Sequence, residues 1–202
     1  MLTKSEFACR LKNACLTVIA AEEELTAIDA KFGDADHGFT MAKVCNAILA
    51  AIDESDGGIQ TMLDDAAMAV MAINGGSAVP LWNTWLDGMQ EGAPEDEEVD
   101  VEAIKAIFAK GFEELDEMSG AKVGDKTMMD ALIPASEAIA AYEGDSEAEL
   151  FTLAAAAAAA GAENSKNFPS KFGRAKSYGA KTIGTPDAGA MSMSCFFQGL
   201  AK

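Results

Sequence analysis

Basic side chains are scarce: 15 lysines and arginines face 33 acidic residues, for a net charge of −18. Such a surface repels a phosphate backbone, which argues against nucleic acid as a partner and leaves cations or a basic protein surface. No CxxC pair occurs among the four cysteines, and Cys9, Cys15 and Cys45 fall within apolar helical patterns, where a thiol is usually a small buried hydrophobe. A disulfide framework is therefore not expected, which suits a reducing cytoplasm. No apolar run reaches membrane-spanning length; the longest, 153–160, is nearly all alanine. The first residues carry charges throughout without a signal-peptide cleavage pattern, so no secretory leader is expected. Aromatic residues make up only 7%, and alanine and methionine supply much of the apolar content, which favours packed helices over sheets.

What is present is helical periodicity. Phe7, Leu11, Cys15, Val18, Leu25 and Ile28 recur at helical spacing behind a Thr3/Glu6 capping box. Met41, Val44, Ile48 and Ile52 form a second stripe, and residues 59–73 a third. Asn74-Gly75-Gly76 signals a turn, with Pro80 placed to open a fourth helix at its first position. An acidic loop over 91–102 precedes a fifth helix through Ile104, Phe108, Phe112 and Leu115. A sixth runs from about Lys126 to Ala141. A seventh opens at Ser146/Glu149 and carries the alanine run, and a last helix follows the loop 171–189. With no sustained strand alternation and 202 residues, the chain reads as a single all-α domain, an antiparallel bundle.

The sharpest chemical feature is Asp29-Ala-Lys-Phe-Gly-Asp34-Ala-Asp36-His37-Gly38, with three aspartates in eight residues. Several carboxylates converging on a point suit Mg²⁺ or Ca²⁺, hard cations that take oxygen ligands. Spacing alone leaves open a plain helix C-terminal turn with solvated acids, Asp36 capping the next helix. His37 is the only histidine; a lone histidine is commonly structural, but its place after the acids at a helix start points to the same site. That helix start would also offer backbone N–H groups to an anion. Gly75-Gly76-Ser77-Ala78 suits close approach to a phosphate, although a glycine pair alone is more often a turn. Gly120-Ala-Lys-Val-Gly124-Asp-Lys126-Thr127 imitates a P-loop but fails its spacing and has no strand before it. The loop holding Arg174 and Asp187 adds a cation and an acid.

Together these segments resemble the L subunit of dihydroxyacetone kinases and the matching domain of the single-chain kinases. Residues 25–44 (LTAIDAKFGDADHGFTMAKV), 121–139 (AKVGDKTMMDALIPASEAI) and 165–190 (SKNFPSKFGRAKSYGAKTIGTPDAGA) carry the likeness, which covers nearly the whole chain. It implies a barrel of about eight antiparallel helices over residues 1–202 with the nucleotide at one end. In that likeness Asp29, Asp34 and Asp36 would ligate a pair of Mg²⁺ ions bridging the phosphates of ADP or ATP. His37, Gly38 and Thr40 would lie at the phosphates, Gly76, Ser77 and Ala78 in the glycine-rich loop, Thr127 and Met128 beside the adenine. Arg174, Asp187 and Gly189 would belong to the closing loop. The resemblance implies a separate K-type subunit holding dihydroxyacetone or a related ketose, with an M-type phosphotransferase subunit and a transcription regulator as further partners. It leans toward the PEP-linked mode; an ATP-dependent subunit for another small polyol or ketose, and a regulatory subunit without transfer, are the alternatives. Ser77 stands one position early, Val79 replaces a glycine, Thr40 an asparagine, Thr185 a histidine and Ala188 a proline. At Val79 the expectation is a turn denied the left-handed conformation that glycine permits.

Overall fold

A computed structural model describes all residues, Met1–Lys202. Thr3 opens the chain as its sequence predicts. Its hydroxyl accepts from the Glu6 N–H at 3.3 Å, and the Glu6 carboxylate accepts from the Thr3 N–H at 2.9 Å. Helix α1 then covers Lys4–Ala20 and α2 Glu22–Asp29. One continuous helix was expected here; Ala21 leaves helical geometry (φ −92°, ψ 5°), and α2 turns away to pack on α3 and α9. Next come α3 (His37–Glu54), α4 (Ile59–Met71), α5 (Ala78–Glu91), α6 (Val101–Ser119), α7 (Met129–Ala141), α8 (Glu147–Asn164) and α9 (Ala188–Leu200). Two 3₁₀ segments, Ser165–Asn167 and Arg174–Thr182, lie between α8 and α9.

The long helices close a ring. In order around it, α1, α3, α4, α5, α6, α7, α8 and α9 each pack on the next, and α9 returns to α1. Short connections alternate their direction, so the starts of α3, α5, α7 and α9 share one end with the finishes of α4, α6 and α8. The all-α, eight-helix antiparallel barrel expected from the sequence is the observed fold, with α2 crossing its end. The acidic loop over 91–102 holds a surprise: Glu98–Val99 pairs antiparallel with Leu2–Thr3, a two-residue ladder tying the chain start to the foot of α6. No helix is long and apolar enough to cross a membrane.

Aromatic side chains fill the ring. Trp82 and Trp85 of α5 meet Phe196 of α9 across the interior, each pair of rings 5.3 Å apart and near perpendicular. Phe108, Phe151 and Phe197 extend the cluster, so the barrel is a packed core and not a channel. Close helix approach needs glycine at the seams. A Cβ on Gly111 would stand 2.9 Å from the Trp85 carbonyl, and one on Gly199 only 2.3 Å from the Ala14 Cα.

Candidate functional site

Four helix starts converge on one cleft of about 500 Å³. Their caps set this end apart. At the far end, Thr3, Asp100 and Ser146 cap α1, α6 and α8 with their side chains; only α4, behind Gly58, lacks such a bond. At the cleft end only α9, behind Asp187, has such a cap; α3, α5 and α7 begin behind Asp36, Ser77 and Met128, none of which gives one. The uncapped first turns of α3 and α5 leave N–H groups without a partner, whereas the first N–H of α7 goes to Thr127 Oγ1 at 3.2 Å; the aligned peptide dipoles add partial positive charge at all these ends. An anion is the natural partner for such an end. This gives a chain of net charge −18 a way to attract phosphate without a basic patch.

Beside these helix starts lie the acids. One carboxylate oxygen each from Asp29, Asp34 and Asp36 falls within 4.8 Å of the others. Asp29 ends α2, and its carboxylate accepts from the Asp36 N–H at 3.2 Å. Gly33 makes room: a Cβ there would lie 2.0 Å from Asp29 Oδ1. Ala35 takes a left-handed φ of 60°, a cost for an alanine, to carry Asp34 and Asp36 on either side of the turn. Burial, reinforced by Asp34 and Asp29, raises the Asp36 carboxyl above its ordinary range. Arg174 pairs with Asp34 at 2.7 Å. Mutually repelling carboxylates held together by the backbone are a donor set that fits a hard divalent cation.

Of the residues singled out in the sequence, Asp29, Asp34, Asp36, His37, Thr40, Gly76, Ser77, Ala78, Thr127, Met128, Arg174, Asp187 and Gly189 all line this cleft. Gly38 does not. It is buried one position into α3, where a Cβ would collide with the Glu22 carbonyl at 2.1 Å, so it seats α3 against α2. His37 bridges to α9: Nε2 lies 3.1 Å from the Ser192 hydroxyl, whose own hydrogen goes to the Gly189 carbonyl at 2.9 Å. Burial holds the imidazole below its ordinary pKa, toward the neutral form.

Three expectations around the cleft are corrected. Val79 does not occupy a strained turn; it is buried in the first turn of α5 at ordinary φ, so no left-handed residue is needed there. Pro80 is the third residue of that helix, not the first, still within the turn whose N–H groups lack helical partners. α7 likewise starts at Met129 and not near Lys126, because Lys126 adopts φ 62°, which a right-handed helix cannot contain.

Sequence reasoning assigned no site role to Lys126 or Asp130, both buried at the cleft. Asp130 accepts from Gly124 N–H at 2.7 Å and Thr127 N–H at 2.8 Å, so one carboxylate shapes the loop leading into α7. Its place three residues after Thr127 was the available signal. Asp187 caps α9 through the Ala190 N–H at 2.8 Å. Part of the residue faces the cleft, but its carboxyl is withdrawn from water and pushed up to about 7, with nearby Asp130 adding to the rise. A pKa raised by folding favours the fold while the group is protonated, and that contribution fades as pH climbs from about 4 to about 7. Asp187→Asn keeps a good capping residue and removes the titration. Urea midpoints at pH 5 and pH 8 should therefore show the ligand-free wild type losing more stability with rising pH than the variant does.

Residues 31–202 match the DAK2 domain. The chain belongs to the DAK2 domain family. A D-erythrulose kinase of Mycolicibacterium smegmatis is 35% identical over 86% of this DAK2 chain, which corresponds to 31% of that kinase. The ADP-binding subunit DhaL of the PEP-dependent dihydroxyacetone kinase of Escherichia coli is 29% identical over 93% of this chain and 91% of its own. The crystal structure of the dihydroxyacetone kinase from C. freundii in complex with AMP-PNP and Mg²⁺ superposes with a TM-score of 0.72 at 26% identity. That match covers 98% of this chain and 33% of the kinase. The DAK2 chain thus spans about a third of the length of the first curated relatives it matches.

Proposed function

We propose that this DAK2 chain is the nucleotide-binding L subunit of a dihydroxyacetone-type kinase. Magnesium and ADP or ATP would occupy the cleft, and a phosphoryl group would pass to dihydroxyacetone or a related small ketose on a separate K-type subunit. The observation that carries the reading is the juxtaposition of three carboxylates within 4.8 Å of one another and the two uncapped helix starts of α3 and α5 in one cleft. The near whole-length match to the ADP-binding subunit of E. coli, and a solved relative holding AMP-PNP and Mg²⁺, support it.

Phosphoryl transfer is mostly positioning and charge neutralisation. Asp29, Asp34 and Asp36 would hold Mg²⁺, which when bound neutralises phosphate charge. The chain's own part is then to bind and orient. N–H groups of the first turns of α3 and α5 would face phosphate oxygens, with Ser77 adding a hydroxyl. Thr127 and Met128, at the start of α7, would carry the adenine end. Arg174, paired with Asp34 beside the metal cluster and largely exposed, would offer a cation to the phosphates, and the segment that bears it would exclude water. The E. coli relative supports a PEP-linked cycle in which an M-type subunit recharges bound ADP. The erythrulose kinase relative supports a tetrulose acceptor instead.

The test mixes the purified chain with a K-type subunit and either dihydroxyacetone or erythrulose, with ATP or with an M-type subunit and PEP. Ketose phosphate formation that requires this chain is expected. Tight Mg–ADP binding without transfer under any combination would leave a nucleotide-binding regulator in place of the kinase subunit.

A further inference from the structure

Lys126 is a buried lysine whose ammonium is fully occupied. Nζ donates to the backbone carbonyls of Ser165 at 2.9 Å, Phe168 at 3.1 Å, Thr182 at 3.0 Å and Thr185 at 2.5 Å. Three N–H hydrogens thus serve four acceptors, and none is left for a ligand, although the side chain lies under the cleft wall. Two acceptors sit at helix ends: Ser165 follows the last turn of α8, and Thr182 closes the 3₁₀ segment. Helix C-termini present unpaired carbonyls and partial negative charge, so a cation there is doubly favoured. The residue holds a left-handed φ of 62° to reach this place, strain that a solvent-facing lysine would have no reason to keep.

The four carbonyls bracket one segment. Phe168 and Thr182 stand at its two ends, and the Ser170 N–H closes the same gap by donating to Thr182 Oγ1 at 2.9 Å. Between them run Phe172 and Arg174, both on the cleft wall. A second link, Lys171 with Asp125 at 2.6 Å, joins the segment to the residue before Lys126. We propose that Lys126 is the positioning residue of the Arg174 segment, a built-in monovalent cation in a cage of backbone carbonyls that clips the base of the loop and so aims Arg174 at the cleft. In its consequence for nucleotide this rests on the function proposed above; in its consequence for loop order it does not. Carbonyl oxygens in such a cage are the ligand type that K⁺ or NH₄⁺ accepts, so a chain lacking the ammonium leaves a site one of these ions can fill.

The experiment compares wild type with Lys126→Ala in buffers of equal ionic strength containing K⁺, NH₄⁺ or tetramethylammonium. Trypsin reads the loop directly, since Lys171, Arg174, Lys176 and Lys181 all lie in it. Calorimetry with Mg–ADP reads the site. Lys126→Ala in tetramethylammonium should be cut in 171–181 and bind Mg–ADP about tenfold more weakly, as follows when roughly a tenth of molecules hold the loop in place. K⁺ or NH₄⁺ should restore protection and affinity toward wild type. An uncut loop with unchanged affinity overturns the proposal. So does a defect that neither ion repairs, or a variant globally unfolded in all three buffers, because the lysine is then a general stability residue. If the wild type itself fails to bind Mg–ADP, the nucleotide reading fails instead, and trypsin protection alone decides the role of Lys126.

Discussion

Asp36→Asn is expected to weaken Mg–ADP binding by about 100-fold, or ~2.7 kcal/mol, while leaving the helical fold intact. Asparagine keeps an oxygen of the same shape but removes one of three negative charges that face each other within 4.8 Å. Divalent cations are held by charge as much as by geometry, and here the cluster has a single cationic neighbour, Arg174 on Asp34. Relieving that repulsion should leave the free protein no less stable, since the ionised Asp36 is already disfavoured by burial and by its neighbours. Affinity and stability should therefore move independently, which a damaged fold would not allow. Asp53→Asn, at the far end of α3 and paired with Lys12, is the control and should bind as wild type. Equal affinity in Asp36→Asn and Asp53→Asn would remove the metal assignment.

Mg–ADP at about 100 times its dissociation constant should raise the melting temperature by roughly 5–11 °C. That follows from about 2.7 kcal/mol of mass-action stabilisation and from the few degrees per kcal/mol of a domain this size. The gain should be largest in the parts the ligand draws together. Without it, the ends of α2, α3, α5, α7 and α9 meet around a cleft of about 500 Å³ with uncapped helix starts and crowded carboxylates. Mg²⁺ alone should raise the melting temperature less, and ADP with EDTA hardly at all. Scanning calorimetry checks all three, and a melting curve indifferent to saturating Mg–ADP would count against nucleotide binding at any site.

Features with local causes were legible before the fold was known. Thr3 and Glu6 declare α1 because capping is settled within four residues. The apolar stripes of α3 through α6 show in the chain because each helix buries one face. Asp29, Asp34 and Asp36 stood out because a single turn gathers them. What stayed hidden depends on distant partners. Nothing local in the sequence marks Trp82, Trp85 and Phe196 as neighbours, and only ring closure sets α5 across from α9. Lys126 was invisible because its acceptors are backbone carbonyls 39 to 59 residues away, and a carbonyl has no sequence signature. Gly38 shows a related limit. The sequence marks a glycine but not what presses on it, which here is the Glu22 carbonyl.

Titration of the wild-type chain with ADP in the presence of Mg²⁺, and again in EDTA, tests the central claim most directly. With Mg²⁺ one saturable site per chain is expected, abolished by EDTA and sharply weakened in Asp36→Asn. ADP binding of equal strength in EDTA, or no binding with Mg²⁺ present, would contradict it.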